Sequence, residues 1–265
     1  MQFSFLASYR CSLSLSLVLL VPMAVRAEGV PTRRKQEPMH QEYVVKSLDG
    51  KLLAKGEEVT TAEGDQVRSD LTFRFLDGSL DEQITTFTQG KVFHLIHDWH
   101  VQKGPSFPTP LDMTVDVPSR TVSWHQQKKG ADTVSTVHMA LPDDLGNGLV
   151  PLLVEKIPPG AAGVRVSWVA VAIRPLVVTV AIHPDTTRVD GLSPLAHAHQ
   201  YLLHVELHGL AFLVAPLIDK QPADLHFWVT DGAQPSFLRL AGPFYQGAPV
   251  WVVESVGPEI PSGAR

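Results

Sequence analysis

Twelve of the 265 residues are histidine, and two groups of them have spacings that could hold a divalent metal. In FHLIHDWH, His94, His97 and His100 recur every third residue with Asp98 between them. On a helix the three could share a face. On a strand, which the surrounding sequence favours, His94, Asp98 and His100 point one way and His97 the other. Two imidazoles and a carboxylate on one face are a metal-ligand set, yet residues six apart on a strand lie roughly 20 Å apart. His94 and His100 therefore cannot meet unless the strand ends near Asp98. The second group is His197 and His199, two apart and so on one face of a strand, close enough for one metal. Its third ligand would come from His204 or His183. Neither group matches HExxH or a cysteine-assisted pattern, so surface or hydrogen-bonded histidines are the favoured reading and a metal at His197 and His199 the weaker one.

Covalent and acid-base chemistry find less support. There is no G-x-S-x-G elbow, and Ser106 in GPSFP sits between prolines in an extended segment. Asp81-Glu82 would point to opposite faces of a strand, and Asp143-Asp144 reads as a helix start. No catalytic residue is assigned, no cofactor is implied, and a metal-dependent hydrolase is the least supported activity.

These side chains belong to an exported chain. Arg10 precedes the apolar run LSLSLVLLVPMAV, which ends at Arg26-Ala27 before a polar stretch, the pattern of a signal peptide over residues 1–27. The run is too short and too interrupted for a spanning helix, which needs about 20 apolar residues. Cleavage removes Cys11, the only cysteine, and with it every disulfide, thiolate-metal site and thiol nucleophile. It also removes Arg10 and Arg26, moving the net charge from −5 to −7, which disfavours nucleic acid as a partner. The expected address is periplasmic or secreted, with nothing spanning the membrane once the signal is gone.

The elements that must position these groups are mostly strands. Residues 28–41 read as a flexible leader, 42–256 as a single β-rich domain and 257–265 as a flexible tail. Short alternating runs separated by turns such as Asp49-Gly50 and Asp77-Gly78 predict antiparallel hairpins. QVRSDLTFRF puts Val67, Ser69, Leu71, Phe73 and Phe75 on one face and charged or polar residues on the other. Asp143-Asp144 followed by apolar residues at helical spacing and closed by Pro158-Pro159 predicts a helix over about 144–156, weakened by Gly146, Gly148 and Pro151. VRVSWVAVAI and LVVTVAI, nearly continuous in apolar residues, predict strands buried on both faces. Residues 209–219 suit either a short helix or a buried loop. The fold class is mainly β, a curved antiparallel sheet or half-barrel built as a meander, with one or two short helices on or inside it.

The stretch QKGPSFPTPLDM, with DGSLDEQITTF before it and FWVTDGAQPSFLRLAGPFYQGAPVW near the end, resembles a family of uncharacterised exported bacterial β-rich proteins. More loosely, the succession of amphipathic strands with a helix packed inside is similar to the LolA and LolB periplasmic half-barrels. That resemblance implies a curved sheet around an apolar cavity and a non-catalytic carrier of a hydrophobic or lipid-like ligand. Phe107, Trp124, Trp168, Trp228 and Phe237 are the candidate ligand-binding set, although each is a core residue by default. The alternative is a structural or protein-interaction domain with a filled core, in which GPSFP is a crossover with Phe107 folded inward.

Overall fold

The computed structural model describes residues 30–257 apart from 33, 129–130, 158–159, 172–173, 194, 196, 207–221 and 233. The predicted signal peptide, the tail 258–265 and the ambiguous 209–219 stretch lie outside the described residues.

Alternation builds the first wing of strands: β1 (Met39–Ser47), β2 (Leu52–Glu63), β3 (Gln66–Phe75), β4 (Leu80–Gln89), β5 (Phe93–Lys103), β6 (Leu111–Asp116), β7 (Thr121–Lys128) and β8 (Ala131–His138). A short helix, α1 (Val150–Lys156), leads to the second wing of β9 (Val164–Val171), β10 (Pro175–Pro184), β11 (Ala198–Glu206), β12 (Leu225–Thr230), β13 (Phe237–Gly242) and β14 (Trp251–Val256). The predicted hairpin turns form, with Gly50 and Gly78 at φ of 86° and 87°, where a Cβ would be strained.

All fourteen strands join one antiparallel sheet in the order β8 to β1, then β14 to β9. Each wing is a meander of neighbours, and the wings are joined where β1 pairs with β14 from Glu42↔Val256 to Ser47↔Trp251. The sheet curls without closing, so β8 and β9 are its two edges. Register shifts at Val45/Lys46, Thr86/Phe87 and Trp228/Val229 help it bend.

The concave side is filled by the connection between the wings. Leu145, Leu149, Val150, Leu153, Val154 and Ile157 are all 3% exposed or less. They share a core with Val67, Phe87, Met113, Val115 and Trp124 from one wing and Val180, Tyr201 and Phe227 from the other. At about 1.5–3 kcal/mol for each large apolar side chain, these six contribute on the order of 10 kcal/mol of burial. A second, aromatic cluster of Tyr43, Phe73, Phe75, Phe107 and Trp251 packs where the wings join. On the outer side, Trp228, Ala241 and Val252 are covered by Val189, Leu192 and Leu195.

Three expectations about the elements change. The helix spans seven residues rather than 144–156, because Gly148 adopts φ 68° and breaks the first turns. Asp144, expected to favour the helix start, instead accepts hydrogen bonds from the Ser167 amide at 3.0 Å and hydroxyl at 2.9 Å. The leader is not loose over its whole length, since Val30 is buried, Thr32 N–H donates to the Lys91 carbonyl at 2.9 Å, and β1 begins at Met39. Nor are the apolar runs of β9 and β10 buried on both faces: Val166 and Val169 are the buried residues of β9, with half-exposed neighbours, and β10 is buried mainly at Val178 and from Val180 to Ile182.

If the inward face of α1 supports both wings, Leu153→Ala destabilises the protein by about 2–5 kcal/mol in urea unfolding. Leu76→Ala, at a side chain 68% exposed, should change stability by less than about 0.5 kcal/mol.

Candidate functional site

The polar groups brought closest together inside the sheet come from β4 and β5. Opposite Thr86 and Phe87 the register jumps from His97 to Leu95, leaving Ile96 as an extra residue. The bulge inverts the alternation: Phe93 and Leu95 are buried before it, Asp98 and Gln102 after it, while His94 is exposed. The expected grouping of His94 with Asp98 and His100 is therefore corrected. His94 lies near the Asp143 carbonyl, at 3.2 Å, on the face opposite Asp98.

Asp98 is fully buried. Its Oδ1 accepts hydrogen bonds from Thr85 Oγ1 at 2.9 Å and Gln83 Nε2 at 3.0 Å, whereas its buried Oδ2 has no hydrogen-bond partner. One strand pair further along, Asp81 receives His100 Nε2 at 2.9 Å on one oxygen and Gln102 Nε2 at 3.0 Å on the other. Gln102 Nε2 also reaches the Phe244 carbonyl at 3.1 Å, tying this strip to the far wing. Gly148 presses against the strip from the helix side. A Cβ there would lie 1.9 Å from Thr85 Oγ1 and 2.6 Å from Asp98 Oδ1, so only glycine fits.

Burial pushes the Asp98 carboxyl up, against the lowering effects of the His100 charge and the Thr85 and Gln83 hydrogen bonds. For His100, burial acts to lower the value, but the Asp81 charge and hydrogen bond together with the Asp98 charge outweigh it, and the net shift is upward. Among the described residues no nucleophilic hydroxyl or thiol bonds to His100, and the imidazole is 19% exposed.

Beside this strip, between α1 and the inner faces of β1 to β4, lies a cavity of about 60 Å³. Tyr43, Glu58, Ser69, Gln83, Glu155 and Phe237 are among its lining residues. Glu58 accepts Tyr43 Oη at 2.8 Å and Ser69 Oγ at 2.6 Å, and Glu155 Oε1 accepts the Phe237 amide at 2.9 Å. Burial raises the pKa of both Tyr43 and Glu155. The cavity is large enough to hold water. Small-molecule pockets run to about 300–1,000 Å³.

The five aromatic residues singled out from sequence do not line one space. Phe107 is 1% exposed and stacks edge-on to Phe75 and Trp251, so the GPSFP segment folds its phenylalanine into the core. Trp124 and Trp168 belong to the central core around α1. Trp228 is buried on the outer side with Arg239 over its ring, at 5.8 Å. Phe237 alone reaches the interior cavity. Trp228 and His199 instead border an open hollow of about 350 Å³ with Asp185, Leu195 and Gln200.

The expected pairing of His197 with His199 on one strand face is also corrected. His197 precedes β11 with φ 57°, and its carbonyl accepts the Asp231 amide at 3.0 Å, so strand alternation does not apply to it. His199 pairs with Asp231 at 3.2 Å, and His204 with Asp224 at 2.7 Å. Among the described residues no group of three or more His, Cys, Asp or Glu could hold a metal ion. The residues absent from the sequence reading are Gln83, Thr85 and Gln102, while Asp81 was weighed there only with Glu82 and not with its actual partners His100 and Gln102. Their signal was available in β4, where Asp81, Gln83 and Thr85 share the inward parity of buried Phe87.

No protein-family model matches the chain, and no curated protein does. Among solved structures, the chain is similar to a β-barrel-like protein of a domain of unknown function from Brucella abortus, at 8% identity and a TM-score of 0.44, over 84% of this chain and 97% of that one. A likeness so low in both measures carries no argument about activity.

Both Asp98 and His100 hold protons more tightly folded than unfolded. Their contribution to stability is complete below the unfolded values, about 3.9 for Asp and 6.5 for His, and is lost as pH rises through the raised folded values. Urea unfolding from about pH 5 to 9 should therefore show wild type exceeding His100→Gln most at the acid end, with the gap narrowing above about pH 6.5. A gap independent of pH would mean that the imidazole charge plays no part.

Proposed function

We propose that this chain is an exported, non-catalytic protein that acts through contacts on its outer surface, its concave interior being occupied by its own helix. The observation that carries this reading is the interior volume. A carrier that encloses a hydrophobic or lipid-like ligand inside the sheet needs a pocket of about 300–1,000 Å³, whereas the cavity beside α1 measures about 60 Å³ and the hollow of about 350 Å³ at Trp228 lies on the outer side, open and bordered by the polar Asp185, His199 and Gln200. Making room for an acyl chain would require α1 to leave, exposing six buried apolar side chains at a cost on the order of 10 kcal/mol. The cavity's lining also includes Glu58 and Glu155, which suit water better than a hydrocarbon.

Export rests on the signal-peptide pattern of residues 1–27, and a periplasmic or secreted address follows from it. The absence of a recognisable nucleophile motif and the enclosure of Asp81, Asp98 and His100 within the fold favour binding over catalysis. No described helix is long and apolar enough to cross a membrane.

Native mass spectrometry of the protein recovered from the envelope fraction of expressing cells tests both halves. The expected species begins at Glu28 and carries no stoichiometric hydrophobic ligand, and titration with an environment-sensitive hydrophobic dye should not saturate. A lipid adduct at one per chain would restore the carrier reading. Retention of residues 1–27 in the mature protein would overturn export.

A further inference from the structure

The two edges of the sheet are treated differently. On β9, residues 144–147 take up the outward backbone groups: Gly146 N–H donates to the Ser167 carbonyl at 2.8 Å, and Ser167 N–H donates to Asp144. The Asn147 side chain brackets Val169, donating to its carbonyl at 2.9 Å and accepting its amide at 2.8 Å. That edge is sealed by the chain itself. On β8, no described strand pairs on the side away from β7.

The register shows which β8 groups face outward. Thr133, Ser135 and Val137 pair with Gln126, Trp124 and Val122, and Met139 N–H donates to the Arg120 carbonyl at 3.0 Å. Odd-numbered residues thus bond toward β7, and Asp132, Val134, Thr136 and His138 turn their amides and carbonyls to the free edge. Val134 is 60% exposed, and Thr136 and His138 are exposed as well. The strand ADTVSTVH contains no Pro, Lys, Arg or bulge, the devices that normally blunt an edge.

We propose that β8 pairs antiparallel with β8 of a second copy about a two-fold axis at Ser135, joining two such sheets edge to edge. The strand is self-complementary in that register. In register, position 132 falls opposite His138 of the second copy at both ends, and Val134 falls opposite Thr136 between them. The four outward residues of each copy then meet in phase and form about eight backbone hydrogen bonds. A slip of two residues shortens the ladder, and a slip of one turns the bonding groups out of phase. The proposal deepens the surface-contact function by naming the partner as a second copy of this chain.

Ser135 lies at a non-hydrogen-bonded position on the proposed axis, where the two Cα atoms would be about 4.5 Å apart, inside the range of about 4.4–6.8 Å that a disulfide spans. In a chain carrying Cys11→Ser, Ser135→Cys should give a covalent dimer on mild oxidation, and Val134→Cys, whose counterpart is Thr136, much less. Light scattering should give a dimer mass for wild type and half that mass for Val134→Lys/Thr136→Lys, whose lysines would face each other. Mixing that variant with Val134→Glu/Thr136→Glu should restore the dimer. A monomer mass at every concentration, equal cross-linking of the two cysteine variants, or a lysine variant that stays dimeric each overturns the proposal. A ligand-free monomer overturns the pairing alone, whereas a lipid-loaded chain overturns the surface-contact function beneath it. If the lysine variant fails to fold, the cysteine pair still decides.

Discussion

A fourteen-stranded sheet that curls without closing needs something to fill its hollow, and here that need is met from within the chain. The connection from β8 to β9 cannot be a hairpin, because these strands lie at opposite edges. It must cross the concavity, and it does so carrying Leu145, Leu149, Val150, Leu153, Val154 and Ile157, all buried. Burial of these six side chains couples two meanders that are also joined by the β1–β14 pairing, by the aromatic cluster of Phe75, Phe107 and Trp251, and by Gln102 at the Phe244 carbonyl. One crossing thus supplies the core of both wings.

Several other features follow from the same crossing. Its first residues run alongside β9 and bond the outward groups of Ser167 and Val169, whereas among the described residues no strand pairs with the outer side of β8. Its helix lies in the concavity, and the cavity beside it measures about 60 Å³. Its glycine at 148 lets the backbone come within contact of Thr85 and Asp98, where any side chain would collide. The proline in the first turn of α1 suits a short helix, since its missing amide is one that the first turn leaves unpaired anyway.

The strip formed by Asp81, Gln83, Thr85, Asp98, His100 and Gln102 runs against the usual preference for an apolar interior. A buried carboxylate with one oxygen unpartnered is costly unless it is protonated, and the upward shift of Asp98 has that cause. The Asp81–His100 pair is better satisfied, with both carboxylate oxygens bonded. Through Gln102 and the Phe244 carbonyl it also reaches the loop after β13. These bonds have direction as well as strength, so they help select one strand register in a sheet whose apolar contacts alone would tolerate slippage.

The sequence by itself determined what is local. Alternating side chains marked the strands, Asp-Gly turns marked hairpins, and the absence of a βαβ rhythm excluded a parallel sheet. Asp143-Asp144 and the apolar spacing after it located a helical segment, but not its length, because Asp144 found a stronger use bonding Ser167 from a strand 23 residues on. The bulge at Ile96 was equally hidden, since an extra residue in one strand is defined only by the register of its partner. The aromatic residues read correctly as core residues but not as parts of three separate clusters, for which face they occupy depends on how strands far apart in the chain are paired. Tertiary structure alone decided that β1 meets β14, that the helix lies inside, and that among the described residues β9 is covered at its edge while no strand pairs with the outer side of β8. Those outcomes rest on burial and hydrogen bonding between residues distant in sequence, and no local periodicity encodes them.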